Sequence, residues 1–286
     1  LFYTSYYFEN DQRITPKTLE FQRAQKLSRD KHVFNFSKIG TSIPLQVNDD
    51  GVLLVTCAHV VEAPDTIYNY RKERGIPQDT YLRSVTILER VEYYAFDAPT
   101  VNNFKVIAKA EKADVALIQS LRGKTDPRHV KTLEYPLGDS KKLQWGSPIF
   151  MFGFPINNRM ISTGIVSDPN SDGNGSFLTN AYMNKGFSGG LILALRGDVP
   201  NFEWVGIASA ASSEHEFVIV PNKNQEAYFE EGQMYTDTLY LEKRLNINHG
   251  ISKAVSSDEI RTFFESQEKR LSNLGYDLTY FYRKSP

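Results

Sequence analysis

Lys185-Gly186-Phe187-Ser188-Gly189-Gly190 runs directly into Leu191-Ile192-Leu193-Ala194-Leu195. The second run is short and apolar, and it reads as a buried strand. The first places a serine among small residues just ahead of it. Glycines on both sides let the backbone bend and aim successive N–H groups at one point. A serine hydroxyl is a weak nucleophile at neutral pH. Chemistry at Ser188 therefore needs a base within hydrogen-bond reach and donors for the oxyanion that develops. Gly-x-Ser-Gly-Gly is also the composition of an ordinary turn, so the rest of the chain must supply the partners.

A histidine is the natural base, because its pKa permits proton uptake and return near neutrality. The chain holds five: His32, His59, His129, His215 and His249. Gly51-Val52-Leu53-Leu54-Val55-Thr56 is β-prone, follows the turn signal Asn48-Asp49-Asp50, and leads into Cys57-Ala58-His59-Val60. His59 is thus held at a strand end. His32, His129 and His215 lie in polar surroundings and read as structural or surface groups. The third partner is a carboxylate, which fixes the imidazole tautomer and stabilises the imidazolium. Asp114 stands at the mouth of the apolar run Val115-Ala116-Leu117-Ile118, where a carboxylate needs a donor or cation beside it. Asp97 is the rival, without such a strand behind it.

The chain in order has the texture of an all-β protein. Strands are expected at 51–56, 84–91, 101–110 and 115–118. In the second half they are expected at 145–154, 161–167, 176–180, 191–195 and 204–208, with turn clusters such as Gly153-Phe154-Pro155 and Asp168 to Gly175 between them. Two such sets, joined near Asp126-Pro127-Arg128, predict two packed barrels. Four segments follow: 1–32, an N-terminal arm with a short helix after Thr15-Pro16; 33–128, a first barrel; 129–255, a second; and 256–286, a C-terminal helix and tail. Ser256-Ser257-Asp258-Glu259 is a capping box, and Ile260, Phe263, Phe264 and Leu271 follow at helical spacing, which predicts a helix over 257–272. Glu62 to Arg83 reads as a polar connection. Ser212 to His249 reads as an elaborated surface loop with room for strands of its own, and the tail as able to dock on the body or on a partner.

Order and local sequence together carry a resemblance. Thr56-Cys57-Ala58-His59-Val60 after a strand, then Ala113-Asp114-Val115-Ala116-Leu117, then Gly186-Phe187-Ser188-Gly189-Gly190, resembles the trypsin-like serine peptidases. The likeness is closest to the HtrA/Deg-type branch. Leu137-Gly138-Asp139-Ser140 with Gly146 resembles the opening of that branch's second barrel. Phe152-Gly153-Phe154-Pro155, Thr163-Gly164-Ile165-Val166-Ser167, Thr179-Asn180-Ala181, Val205-Gly206-Ile207 and Gly250-Ile251-Ser252-Lys253-Ala254-Val255 continue it, over about residues 40–265. The resemblance implies two six-stranded antiparallel β-barrels with the site in the cleft between them. It implies a triad of Ser188 as nucleophile, His59 as general base and Asp114 as orienting acid, and an oxyanion hole from the N–H groups of Gly186 and Ser188. The primary specificity pocket would be walled by Tyr182, Met183, Asn184 and Lys185 on one side and Ser209, Ala210 and Ala211 on the other. Tyr182 falls at the usual pocket base. A tyrosine there implies small or medium apolar side chains rather than Lys or Arg.

Two departures bear on regulation. Phe187 stands where secreted relatives carry an aspartate that pairs with a new N-terminus, so that activation route is not expected. Phe187 either packs or belongs to a switchable oxyanion loop. No PDZ-like domain follows the peptidase region in this sequence. The expectation is an active serine endopeptidase without cofactor or metal, acting on protein or peptide substrates and open to a regulatory partner or an oligomeric state. The alternatives are a catalytically idle barrel used for binding or scaffolding, and a peptidase held off until a signal binds.

Composition narrows the partners. The 286 residues are 41% hydrophobic and 23% charged with a net charge of −1, which argues against nucleic acid or an anionic membrane as main partner. No run of about 18 apolar residues marks a membrane span. The aromatic, polar start Leu1 to Phe8 lacks the pattern of a signal peptide. Cys57 is the single cysteine, which excludes an internal disulfide and leans to a reducing compartment, here the cytoplasm.

Overall fold

The computed structural model describes residues 1–9, 11–19, 21–71, 77, 80–94, 103–120, 130–196, 201–221 and 239–282. The chain divides into two units, Leu1–Glu134 with Thr262–Pro286, and Tyr135–Arg261. Asp97, the 126–128 link and His129 lie outside the described residues.

In the first unit, short β-prone runs become strands: β1 Phe2–Tyr7, β2 Asp30–Asn35, β3 Ile43–Asn48, β4 Gly51–Thr56, β5 Thr66–Tyr70, β6 Leu82–Arg90, β7 Phe104–Ala110 and β8 Val115–Ser120. Two short helices interrupt them, α1 Phe21–Leu27 and α2 Ala58–Val61. The strands form two antiparallel four-stranded sheets, β2-β1-β6-β5 and β3-β4-β8-β7. β4 and β8 are buried along their whole length, β4 on its apolar run and β8 with Gln119 and Ser120 also buried at its end. Their register matters most for function. Thr56 pairs with Ala116, so the residues just after β4 and those just before β8 emerge at the same end of the sheet. The β3–β4 hairpin is fixed by Asn48, whose Oδ1 accepts the N–H groups of Asp50 and Gly51. A Cβ on Gly51 would lie 2.5 Å from the Ser120 carbonyl oxygen, so only glycine fits beside β8.

The N-terminal segment holds more than the expected helix. Pro16 opens a single 3-10 turn and α1 starts at Phe21. Ahead of both, Phe2–Tyr7 is the inner strand of a sheet, paired with β2 on one side and β6 on the other. Its aromatic residues Tyr3 and Tyr6 are buried there. β5 likewise occupies part of the segment read as a polar connection, held by β6.

The second unit contains a closed six-strand barrel, in order β10-β11-β14-β13-β12-β9. The strands are β9 Pro148–Gly153, β10 Met160–Asp168, β11 Phe177–Thr179, β12 Leu191–Arg196, β13 Asn201–Pro221 and β14 Leu239–Ser256. Ile149, Met151, Val166, Phe177, Ile192, Val205 and Ala254 fill its interior. β13 and β14 do not stop at the barrel. They continue as a paired ribbon from Ser212↔Asn248 to Pro221↔Leu239, in the stretch expected to be a surface loop. Residues 222–238 of that stretch lie outside the described residues.

Helix α3, Ser257–Asn273, opens with the expected capping box. The Ser256 hydroxyl accepts the Glu259 N–H at 3.1 Å, and the Glu259 carboxylate takes the Ser256 N–H in return. Ile260, Phe263, Phe264 and Leu271 are its buried stripe. The tail docks on the first unit. Asn48 Nδ2 donates to the Leu274 carbonyl and Gln119 Nε2 to the Tyr276 hydroxyl, and Phe281 of α4, Thr279–Tyr282, is buried. The fold is all-β in class, with strand far outweighing helix. Among the described residues no helix is long and apolar enough to cross a membrane.

Candidate active site

The β4–β8 register positions the candidate residues of the first unit. Past Thr56 the chain turns through Cys57 into the single turn of α2, which carries His59. Ahead of Val115, the chain turns at Asp114, whose N–H reaches the Glu111 carbonyl at 3.3 Å and whose φ is +53°. That left-handed conformation strains a residue with a Cβ, and Asp is among the side chains that tolerate it. The gain is direction. Asp114 Oδ1 accepts the backbone N–H of His59 at 3.0 Å, and His59 Nδ1 lies 3.0 Å from Oδ1 and 2.9 Å from Oδ2. A carboxylate only accepts, so Nδ1 carries the hydrogen and Nε2 is left with its lone pair. One acid thus fixes both the main chain and the ring of the same histidine. The His59 side chain is 44% exposed and that of Asp114 22%, so the ring is open to a reactant while the acid is screened. Lys38 Nζ donates to the carbonyls of His59 and Glu62, which steadies the carbonyl end of α2.

In the second unit, Ser188 lies in a glycine-built turn between barrel strands. The Phe187 N–H donates to the Asn184 carbonyl, Gly190 N–H to the Phe187 carbonyl, and Gly189 N–H to the Ala208 carbonyl at 2.7 Å. Gly186 has φ +107°, and a Cβ there would stand 2.8 Å from the Phe154 carbonyl oxygen, so conformation and space both require glycine. Phe187 is wholly buried and packs into the barrel core with Ala181 and Met183. The packing reading left open for it is seen here. The phenyl ring anchors the turn and leaves Ser188 partly exposed at its apex. Ser188 Oγ donates to the Ser209 carbonyl at 3.0 Å. Among the described residues, no acceptor occupies the Ser188 N–H.

The residues expected to wall a specificity pocket have mixed positions. Tyr182 is half exposed, while Met183 is buried against Phe187. Asn184 Oδ1 accepts the Lys185 N–H at 2.8 Å, and Lys185 is exposed. Ser209 is buried, Ala210 exposed and Ala211 intermediate. Of the other histidines, His32 pairs with Asp30 on the exposed β2 and sets its ring edge-on to Tyr7. His215 is exposed on the ribbon. The His249 side chain is outside the described residues.

Sequence reasoning passed over Cys57 as a site residue. Its sulfur, the His59 ring and the Asp114 carboxylate converge, each donor atom within 4.8 Å of the others. The signal was present as Cys-x-His at a strand end, with the acid at the start of the neighbouring strand.

These parts define a class first: an all-β protein with a closed barrel, carrying an imidazole oriented by a carboxylate at a strand end. The family follows from comparison with known proteins. A family model described as a trypsin-like peptidase domain matches residues 43–200, more than half of the chain, and the chain belongs to that family. The matched range includes His59, Asp114 and Ser188. The closed six-strand barrel and the other antiparallel sheets agree with the double-barrel fold of that family. A search of curated proteins gives no match.

Proposed function

We propose that the protein is a serine endopeptidase that cleaves peptide bonds through an acyl-enzyme. Ser188 supplies the nucleophile, His59 takes its proton and later gives it to the leaving amine, and Asp114 holds the imidazole and stabilises the imidazolium. The N–H groups of Gly186 and Ser188 receive the oxyanion. The observation that carries this reading is the double grip of Asp114 on His59, which presents Nε2 as a base. The glycine-fixed exposure of Ser188 supports it. Within the family we place the chain in the HtrA/Deg-type branch, on the local sequences around Gly138, Gly164 and Gly206. Its substrates are proteins or peptides. Tyr182 favours small or medium apolar residues before the cut bond, and a peptide-library profile dominated by cleavage after Lys or Arg would overturn that preference. The single cysteine suits a reducing compartment, and we place the protein in the cytoplasm.

The test is labelling by a fluorophosphonate probe together with peptide hydrolysis, wild type beside Ser188→Ala. Removing a nucleophile of this kind costs roughly 10⁶-fold in turnover. Labelling that persists in Ser188→Ala would refute the assignment.

A further inference from the structure

We propose that Cys57, His59 and Asp114 form a binding site for a thiophilic divalent cation, with zinc as the probe, and that filling it silences the imidazole. Among the described residues, these three are the one group of three or more His, Cys, Asp or Glu side chains whose donor atoms lie within 4.8 Å of one another. Donor atoms sharing one tetrahedral zinc stand roughly 3.3–3.8 Å apart, so the three need to shift by no more than about an ångström. The set is one sulfur, one ring nitrogen and one carboxylate oxygen, which is the mixture zinc takes and a magnesium- or calcium-type ion does not. Fold geometry rather than chance contact brings the donors together. Cys57 and His59 follow β4, Asp114 precedes β8, and the Thr56↔Ala116 pairing puts those ends side by side. Cys57 is buried, but the partly exposed His59 and Asp114 give an ion a path to the sulfur. Water completes the fourth position.

The exchange balances. The thiol proton leaves to solvent as sulfur binds the metal. The imidazole stays neutral, its hydrogen moving from Nδ1 to Nε2 as Nδ1 binds, and the carboxylate is already ionised. An Nε2 that carries hydrogen has no lone pair left to accept a proton. A bound cation therefore removes the base and the orienting hydrogen bond in one event. The inhibitory consequence rests on the peptidase reading above; the binding site does not.

The experiment titrates Co²⁺ into the intact protein and follows thiolate-to-cobalt absorption, with Zn²⁺ as competitor and native mass spectrometry for stoichiometry. The expected result is one ion per chain and an absorption band that Zn²⁺ abolishes. Cys57→Ala should lose the band and weaken zinc binding by more than the ~10–100-fold that even an outer-shell partner contributes. Circular dichroism checks that this variant is folded, and Asp114→Asn serves as a second variant that keeps the sulfur. In parallel, Zn²⁺ should stop hydrolysis by the wild type reversibly on chelation, and should inhibit Cys57→Ala far less. No band in the wild type, or a band unchanged in Cys57→Ala, overturns the site. A band with unaltered hydrolysis overturns the silencing. A protein that shows the band yet hydrolyses nothing when metal-free sinks the peptidase reading and leaves the site standing.

Discussion

In the first unit, His59 is held by side-chain chemistry, three contacts of 2.9–3.0 Å to one carboxylate. In the second, Ser188 is held by main-chain turns, by Gly186, by Gly190, where a Cβ would collide with the Phe152 carbonyl oxygen, and by a phenyl ring sunk in the barrel. The contrast has consequences for how each half fails. Replacing one atom of a carboxylate leaves a protein folded and chemically wrong. Removing an anchor from a turn disturbs the fold and the chemistry together. Activity and stability should therefore separate in the first unit and move together in the second.

The sharpest way to break this contrast is Asp114→Asn. The loss of tautomer control should cost about 10⁴-fold in kcat. Because Asn also tolerates a left-handed φ, thermal unfolding should change little. A large fall in the melting temperature would show that Asp114 is as structural as the serine turn. Gly186→Ala comes next. Its Cβ collides with the Phe154 carbonyl, so the proposed oxyanion donors would shift, and under the peptidase reading a loss of about 10²–10³-fold in kcat is expected with a measurable fall in stability. Unchanged stability would blur the distinction. Phe187→Ala should cost about 3–5 kcal/mol in urea unfolding and lower activity in proportion to the turn's disorder. Full activity in that variant would show that the turn holds without its anchor.

The smallest effect is electrostatic and lies beside the capping box of α3. Burial holds the Glu259 carboxyl above its ordinary value, against hydrogen bonds from Ser176 and Ser256. Burial also raises Asp172, but the Ser176 hydroxyl, which it shares with Glu259, and the N–H groups of Asn174 and Ser176 outweigh it and leave the group below its ordinary value. The signs are opposite. The raised Glu259 weighs against the folded state while ionised, and acidification through its folded value relieves that. The lowered Asp172 contributes stability above its ordinary value and loses it as pH falls through the depressed one. Melting temperature against pH should thus carry a small gain on mild acidification, absent in Glu259→Gln, and a loss at lower pH that Asp172→Asn lacks. A Glu259→Gln curve parallel to wild type would remove Glu259 from the explanation.

Much of the candidate site was legible because its signals are local. An apolar run ending in Ala58-His59, and another starting at Asp114, declare strand ends without any knowledge of pairing. Gly186 and Gly189 declare a turn. The capping box at Ser256 worked for the same reason, since both partners lie within four residues. What escaped depends on partners distant in sequence. Phe2–Tyr7 is rich in β-prone Tyr, Phe and Thr, but its place as an inner strand depends on β6, some eighty residues on, and that no local signal shows. The stretch holding the β13–β14 ribbon reads as an elaborated loop with room for strands, and Phe217–Val220 and Leu239–Leu241 supply β-prone residues, but that they pair with one another into a ribbon depends on register across a long separation. Cys57 escaped as a site residue because its nearness to Asp114 is a product of strand register.

The left-handed turn at residue 114 has an evolutionary corollary. Few side chains other than asparagine can replace aspartate there without distorting the entrance to β8. Glycine and asparagine are the replacements the backbone accepts most readily, and each removes the carboxylate that orients the imidazole. Under the peptidase reading, a single such substitution silences the chain while leaving its strands in place.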